Sequence, residues 1–233
     1  MKFKGMFAKF EKPGEKNETG SLFQFFRYLS FWAAIPFVYL PFSPNQITLI
    51  ANITQIVSLI SVIWFDGNQK LIGLFGYFVG GILDFVDGNI ARYRNITSLK
   101  GVFYDQLGHV LVAPLFYLAI TISAYLDTGN ILFMVLSITV AWFVPLVSYQ
   151  ILAIDKYADK GTDADVSVNE FVNPTGLKFY LRKAFGLFYH YKIEIFAVAI
   201  LLDLVGLLAI ISTLYFVMRF IVQLYVDQSR IHN

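Results

Sequence analysis

Residues 71–92 read LIGLFGYFVGGILDFVDGNIAR, and this run decides the fold. A bilayer core of ~30 Å needs about 20 apolar residues in a helix, and the stretch from Leu71 to Ile90 meets that length. Two carboxylates, Asp84 and Asp87, interrupt it near one end. An Asp well inside a span costs ~2.5–3.5 kcal/mol on insertion scales. Acids in such a segment therefore mark a site rather than packing.

The rest of the 233-residue chain has the same character: 57% apolar, 18% aromatic and only 15% charged, with 24 Phe and 14 Tyr. An ordinary globular chain carries roughly 25% charged residues. A chain this apolar cannot clothe its exterior in polar side chains, so its solvent is partly lipid. The absence of cysteine excludes a disulfide-stapled secreted module. A formal charge of +2 gives no reason to expect a nucleic-acid partner. The pattern predicts an all-α integral membrane protein with six transmembrane helices preceded by an interfacial amphipathic helix.

Residues 1–20 are polar and lysine-rich and carry no cleavable signal pattern, so they read as a cytoplasmic N-terminal segment. Residues 21–42 are apolar but broken by Gln24, Arg27, Ser30 and Pro36, which predicts a helix lying at the membrane surface; a true span is the alternative. Residues 43–226 form the six-helix domain. Ser43-Pro44-Asn45-Gln46 starts its first helix with a capping box and a proline at the first helical position. The spans run from about Asn45 to Phe65, Leu71 to Ile90, Val102 to Tyr125 and Ile131 to Ile154. A polar loop over about 155–175 follows, then an amphipathic stretch with Lys178, Arg182 and Lys183. Asp203 and Gly206 offer a hairpin between a fifth span ending near Leu202 and a sixth from about Leu207, and residues 227–233 form a tail. Near the cytoplasmic ends of these last spans, Glu194 and Arg219 are expected to pair.

With a cytoplasmic N-terminus, the opposite-side loops lie at 66–70, 127–130 and 203–206. They hold one basic residue, Lys70, of the 18 in the chain. Basic residues gather on the cytoplasmic side, so both termini are expected there, in the inner (cytoplasmic) membrane of a bacterium or archaeon.

Asp84 and Asp87 are three residues apart and share a helical face. On the next span Asp105 and His109 are four apart and also share one. The short connection between the spans makes them antiparallel neighbours, with their acids at similar depth near the cytoplasmic surface. Three carboxylates need a compensating charge, and Arg92 alone is too little. Divalent cations answer the need: oxygen donors suit Mg²⁺ or Mn²⁺, and imidazole is compatible with Mn²⁺. A pair of ions ~3.5–4 Å apart suits phosphoryl transfer. The alternative is a carboxylate–Arg92 network that only locks the helices. Gly88, directly after Asp87, lets a ligand approach the helix; Gly80, Gly81, Gly101 and Gly108 let helices approach one another.

At these residues the chain resembles the CDP-alcohol phosphotransferase family of membrane enzymes. Their motif, D-x2-D-G-x2-A-R-x8-G-x3-D-x3-D, is met by Asp84, Asp87, Gly88, Ala91, Arg92, Gly101 and Asp105 with every spacing kept. His109 stands where the family has its fourth Asp. The resemblance implies that Asp84, Asp87 and Asp105 bind two divalent cations, Mg²⁺ or Mn²⁺. It implies a CDP-alcohol donor, a lipid or small-alcohol acceptor whose hydroxyl attacks the β-phosphate, release of CMP, a place in phospholipid or related glycolipid synthesis, and a homodimer. The fourth acid of the family is its general base and also meets the metal, so both roles pass to His109. A free imidazole titrates near ~6.5, against ~3.9 for Asp, which suits a general base. Asp84, Gly88, Ala91, Arg92 and Gly101 are then expected around the CDP diphosphate. Asn45, Thr48, Asn52 and Gln55 recur at helical spacing on the first span and should face the bundle interior, either lining the nucleotide cavity or bonding between helices. An inactive scaffold that has lost its fourth acid and a metal-ion transporter are the competing readings.

Overall fold

The computed structural model describes residues 2–10, 21–96, 98–158 and 191–231. Among them there are helices and no strands: α1 (Lys2–Phe10), α2 (Ser21–Tyr39), α3 (Pro44–Trp64), a 3₁₀ turn (Gly67–Gln69), α4 (Lys70–Arg94), α5 (Leu99–Thr128), α6 (Ile131–Ala158), α7 (Lys192–Leu201) and α8 (Val205–Ile231). Among the described residues four segments are long and apolar enough to cross a membrane: Pro44–Trp64, Gly67–Arg94, Leu99–Thr128 and Val205–Val222; Ile131–Val147 is apolar but shorter. Leu49, Ile53, Val57, Ile60 and Trp64 form an exposed apolar side of α3. Such surface is stable against acyl chains, not water. The chain is an integral membrane protein. Most of the polar loop expected over 155–175 lies outside the described residues, as do Lys178, Arg182 and Lys183 and the start of the fifth expected span.

Two compact units divide the chain, the first Met1–Phe65 with Gln69–Val112, the second Asp66–Asn68 with Ala113–Asn233. In the first unit the capping box forms at the start of α3. Ser43 Oγ accepts from Gln46 N at 3.3 Å, and Gln46 Oε1 accepts from Ser43 N at 2.8 Å. The segment feeding this cap is held by Arg94 at the end of α4. Its Nη2 donates to Phe37 O and Leu40 O, both at 2.8 Å, and its Nη1 to Phe42 O. Pro36 sits inside α2, and Leu40 N still reaches Pro36 O at 3.1 Å.

Helix α1 arises within the segment that its lysines mark as polar. Met6, Phe7 and Phe10 follow helical spacing and give α1 an apolar edge. Phe10 is 0% exposed, in a cluster with Phe31, Ala34, Ile47, Val86 and Ile90 contributed by α2, α3 and α4. Residues 11–20 lie outside the described residues.

Helices α3 and α4 pack closely because α4 presents small residues. A Cβ placed on Gly73 would lie 2.7 Å from Ser58 O and 2.8 Å from Val62 N, and one on Gly80 2.5 Å from Gln55 Cγ. Without a hydrophobic force between helices in lipid, this backbone approach supplies the dispersion contact that joins them.

In the second unit Tyr117 of α5 packs edge-on against Phe216 of α8 with centroids 4.5 Å apart, and Phe116 against Phe196 of α7 at 5.7 Å. Ser137 Oγ of α6 donates to Thr121 Oγ1 of α5 at 2.9 Å. The α7–α8 turn places Asp203 in the left-handed region at φ 56°. The expected Glu194–Arg219 pair is absent. Arg219 Nη1 donates to Tyr215 Oη at 2.7 Å, and Glu194 Oε2 has no hydrogen-bond partner. With the turn at 202–204, Arg219 lies about 10 Å farther from it along the helix axis than Glu194, at 1.5 Å per residue.

Gly73→Ala should separate α3 from α4 and lower stability by about 1–3 kcal/mol, because the obstructing atoms are backbone. Gly81→Ala, whose Cβ would meet only Gln55 Nε2 at 3.8 Å, should be neutral. Thermal unfolding of the two purified variants in detergent checks the contrast.

Candidate metal centre

Asp84 and Asp87 project from one face of α4, and Asp105 comes from the first turns of α5. The structure brings all three together: one carboxylate oxygen from each lies within 4.8 Å of the others. Asp87 is the most enclosed, at 8% exposure. The Thr48 hydroxyl of α3 makes a short hydrogen bond to Asp87 Oδ2 and also lies 3.1 Å from Pro44 O. A hydroxyl has one proton, so bonding to Asp87 and to the backbone of its own helix compete for it.

Asp105 reaches this position because α5 leans on α3 at two glycines seven residues apart. A Cβ on Gly108 would lie 2.7 Å from both Nδ2 and Oδ1 of Asn52, and one on Gly101 3.4 Å from Asn45 Oδ1. Asp105 lies between these contacts on the same helical face. The polar stripe of α3 therefore faces inward. Asn45 and Asn52 meet the glycines of α5, Thr48 meets Asp87, and Gln55 meets Gly80. Among the stripe's hydrogen bonds, Thr48 to Asp87 joins α3 to α4.

Arg92 does not point its whole fork at the carboxylates. Its Nε donates to Phe10 O at 2.7 Å and its Nη2 to Asn89 Oδ1 at 2.8 Å. The guanidinium lies over Gly88, where a Cβ would be 3.3 Å from Nη1. The end of the Arg92 side chain is thus close beside the position of the missing Gly88 side chain. Ala91 is half-buried beside it. His109 occupies the helical position one turn after Asp105, and its side chain lies outside the described residues.

This donor set fits divalent cations. Three hard carboxylates converge in a partly enclosed place, and two of the three guanidinium nitrogens of Arg92 are engaged elsewhere. Oxygen-only clusters of this kind match Mg²⁺ and Mn²⁺.

Asn89, Ser30, the Phe10 carbonyl and Arg94 were not evident from the sequence. Asn89 is 1% exposed and donates from Nδ2 to Ser30 Oγ at 2.9 Å. The available signal was a carboxamide inside an apolar helix, a group that has to find partners there. Its partners are 59 positions away on α2 and three positions away on α4.

A comparison with curated proteins gave no significant match. The family described as CDP-alcohol phosphatidyltransferase matches residues 42–225. That range takes in α3 to α6, all three carboxylates and most of α8, and the chain therefore belongs to the CDP-alcohol phosphatidyltransferase family, whose activity is transfer of a phospho-alcohol group from a CDP-alcohol.

Proposed function

We propose that this protein transfers a phospho-alcohol group from a CDP-alcohol to an acceptor hydroxyl, releasing CMP, at the cytoplasmic face of the membrane. The observation that carries the proposal is the convergence of Asp84, Asp87 and Asp105 within 4.8 Å in a chain of this family. Asp84, Asp87 and Asp105 would hold the ions, two in number by the family's pattern. When bound, Mg²⁺ or Mn²⁺ neutralises charge on the phosphoryl oxygens and aligns the attacking and leaving oxygens.

The protein's own groups do the rest. Thr48 orients the Asp87 carboxylate through its hydroxyl. Arg92, with Nη1 over Gly88, offers a donor to the diphosphate. Gly101 and Asn45 close the α3–α5 contact beside the donor and keep Asp105 in place. His109, one turn after Asp105 on α5, accepts the proton of the attacking hydroxyl. With an imidazole in place of a fourth carboxylate, the site carries one negative charge fewer, which favours an acceptor or a second-ion geometry different from those of four-Asp members.

Six spans with both termini cytoplasmic remain our reading of the topology, supported by the apolar helices and by the placement of lysine and arginine. The outward side of α2 carries Phe25, Tyr28, Trp32 and Tyr39. Aromatic rings of this kind favour the headgroup level, which supports a surface position for that helix. A site on the cytoplasmic side and open to the bilayer suits at least one lipidic substrate.

Purified protein given Mn²⁺ or Mg²⁺ and a panel of CDP-alcohols should release CMP with at least one donor, and chelation should stop it. Asp105→Asn should lower the rate by roughly a hundredfold or more. Folded wild-type protein that releases no CMP with any donor would point to a scaffold. His109→Ala should lose most activity while His109→Asp keeps a substantial part; an alanine variant as active as the parent removes His109 from the mechanism. Thr48→Val should weaken the apparent Mn²⁺ affinity roughly tenfold, as loss of a ligand-orienting hydrogen bond does elsewhere. A metal titration of the activity measures it.

A further inference from the structure

Arg92 is held from two directions by groups outside the acid cluster. Its Nε donates to the carbonyl of Phe10, the last residue of α1, at 2.7 Å, and its Nη2 donates to Asn89 Oδ1 at 2.8 Å. Asn89 is 1% exposed and Ser30 0%. Asn89 Nδ2 donates to Ser30 Oγ at 2.9 Å, and the Ser30 hydroxyl donates onward to Arg27 O at 2.7 Å. With its proton so committed, Ser30 Oγ serves Asn89 as an acceptor. The order of donors is therefore directional, from Arg92 to Asn89 to Ser30 to the backbone of α2. It fixes which end of the Asn89 amide faces the guanidinium, since only Oδ1 can accept from it.

A guanidinium is planar, and fixing two of its nitrogens fixes the plane and the third. That third nitrogen, Nη1, lies over Gly88, the residue next to Asp87. The fork is preset at the edge of the acid cluster, so little rotamer entropy is left to lose when an anion arrives.

We infer that Asn89 is a positioning residue for the CDP diphosphate: it acts through Arg92, holding Nη1 over Gly88, and with the C-terminal carbonyl of α1 it makes the surface helices part of the donor site. The inference rests on the function proposed above. A leucine at 89 abolishes the acceptor and leaves Arg92 free to turn. An aspartate at 89 keeps an acceptor for Arg92 and gives up only the donation to Ser30.

The test is CDP binding in the presence of Mn²⁺, with steady-state KM and kcat for an active donor, on full-length protein checked for monodispersity and thermal unfolding. Asn89→Leu is expected to weaken CDP binding and raise KM roughly tenfold, with kcat changed less than about twofold. Asn89→Asp should stay within about twofold of the parent in both. In an Arg92→Ala background, Asn89→Leu should add nothing further, because its effect passes through the missing group. If Asn89→Leu does not fold, Ser30→Ala replaces it and should raise the CDP dissociation constant about threefold by releasing the amide. A folded Asn89→Leu or Ser30→Ala protein that binds CDP as the parent does would overturn the inference, as would full additivity with Arg92→Ala or equal loss in Asn89→Asp and Asn89→Leu. Wild-type protein that neither binds CDP nor releases CMP removes the proposed function and this inference together. Wild-type binding with no effect at position 89 removes the inference alone.

Discussion

Three carboxylates held within 4.8 Å of one another in a bundle built for lipid are the constraint to which the first unit answers. Like charges at this separation repel strongly where the local dielectric is low. The helices can keep them together only if packing elsewhere is firm and if a countercharge completes the cluster. The close backbone contact of α3 with α4 at Gly73 and Gly80, and the seating of the Asn45 and Asn52 side chains of α3 against Gly101 and Gly108 of α5, supply the first condition. The second is what the proposed divalent cations would supply. Thr48 meets Asp87 with a donor where the cluster is most enclosed, and Arg92 stays at the edge, occupied largely by neutral oxygens.

Much of this architecture was legible before any coordinates. The apolar runs gave helices long enough to cross a membrane because a lipid solvent leaves a helix few alternatives. The cap at Ser43-Pro44-Asn45-Gln46 was readable because its donors and acceptors all lie within four residues. Helix α1 was harder to see. Its lysines dominate the composition of the segment, while Met6, Phe7 and Phe10 matter only because α2, α3 and α4 provide a cluster for Phe10. The Glu194–Arg219 pair failed for a related reason. Charge complementarity says nothing about depth, and depth on α7 and α8 depends on where the turn at Asp203 falls.

The same distinction runs through the site. Asp84, Asp87 and Asp105 were identifiable from spacing, because helical periodicity places two on a face and a short connection brings in the third. The missing side chain at Gly88 leaves room at the helix surface, and the Arg92 guanidinium of the same helix lies close beside it. Asn89 and Ser30 are 59 positions apart, and Phe10 O and Arg92 are 82 apart. No local pattern announces such bonds. They follow from the packing of α1 and α2 on α4, which is decided by shape.

Arg94 bonds the carbonyls of Phe37, Leu40 and Phe42 with a single guanidinium. The joint between α2 and α3 is therefore a bracket of set length rather than a tether. Its far end is bolted to the helix that carries Asp84 and Asp87. An added or removed residue here would put α2 and α3 out of phase by a hundred degrees or so of helical rotation, so among natural variants this joint should tolerate changed side chains far more readily than changed length.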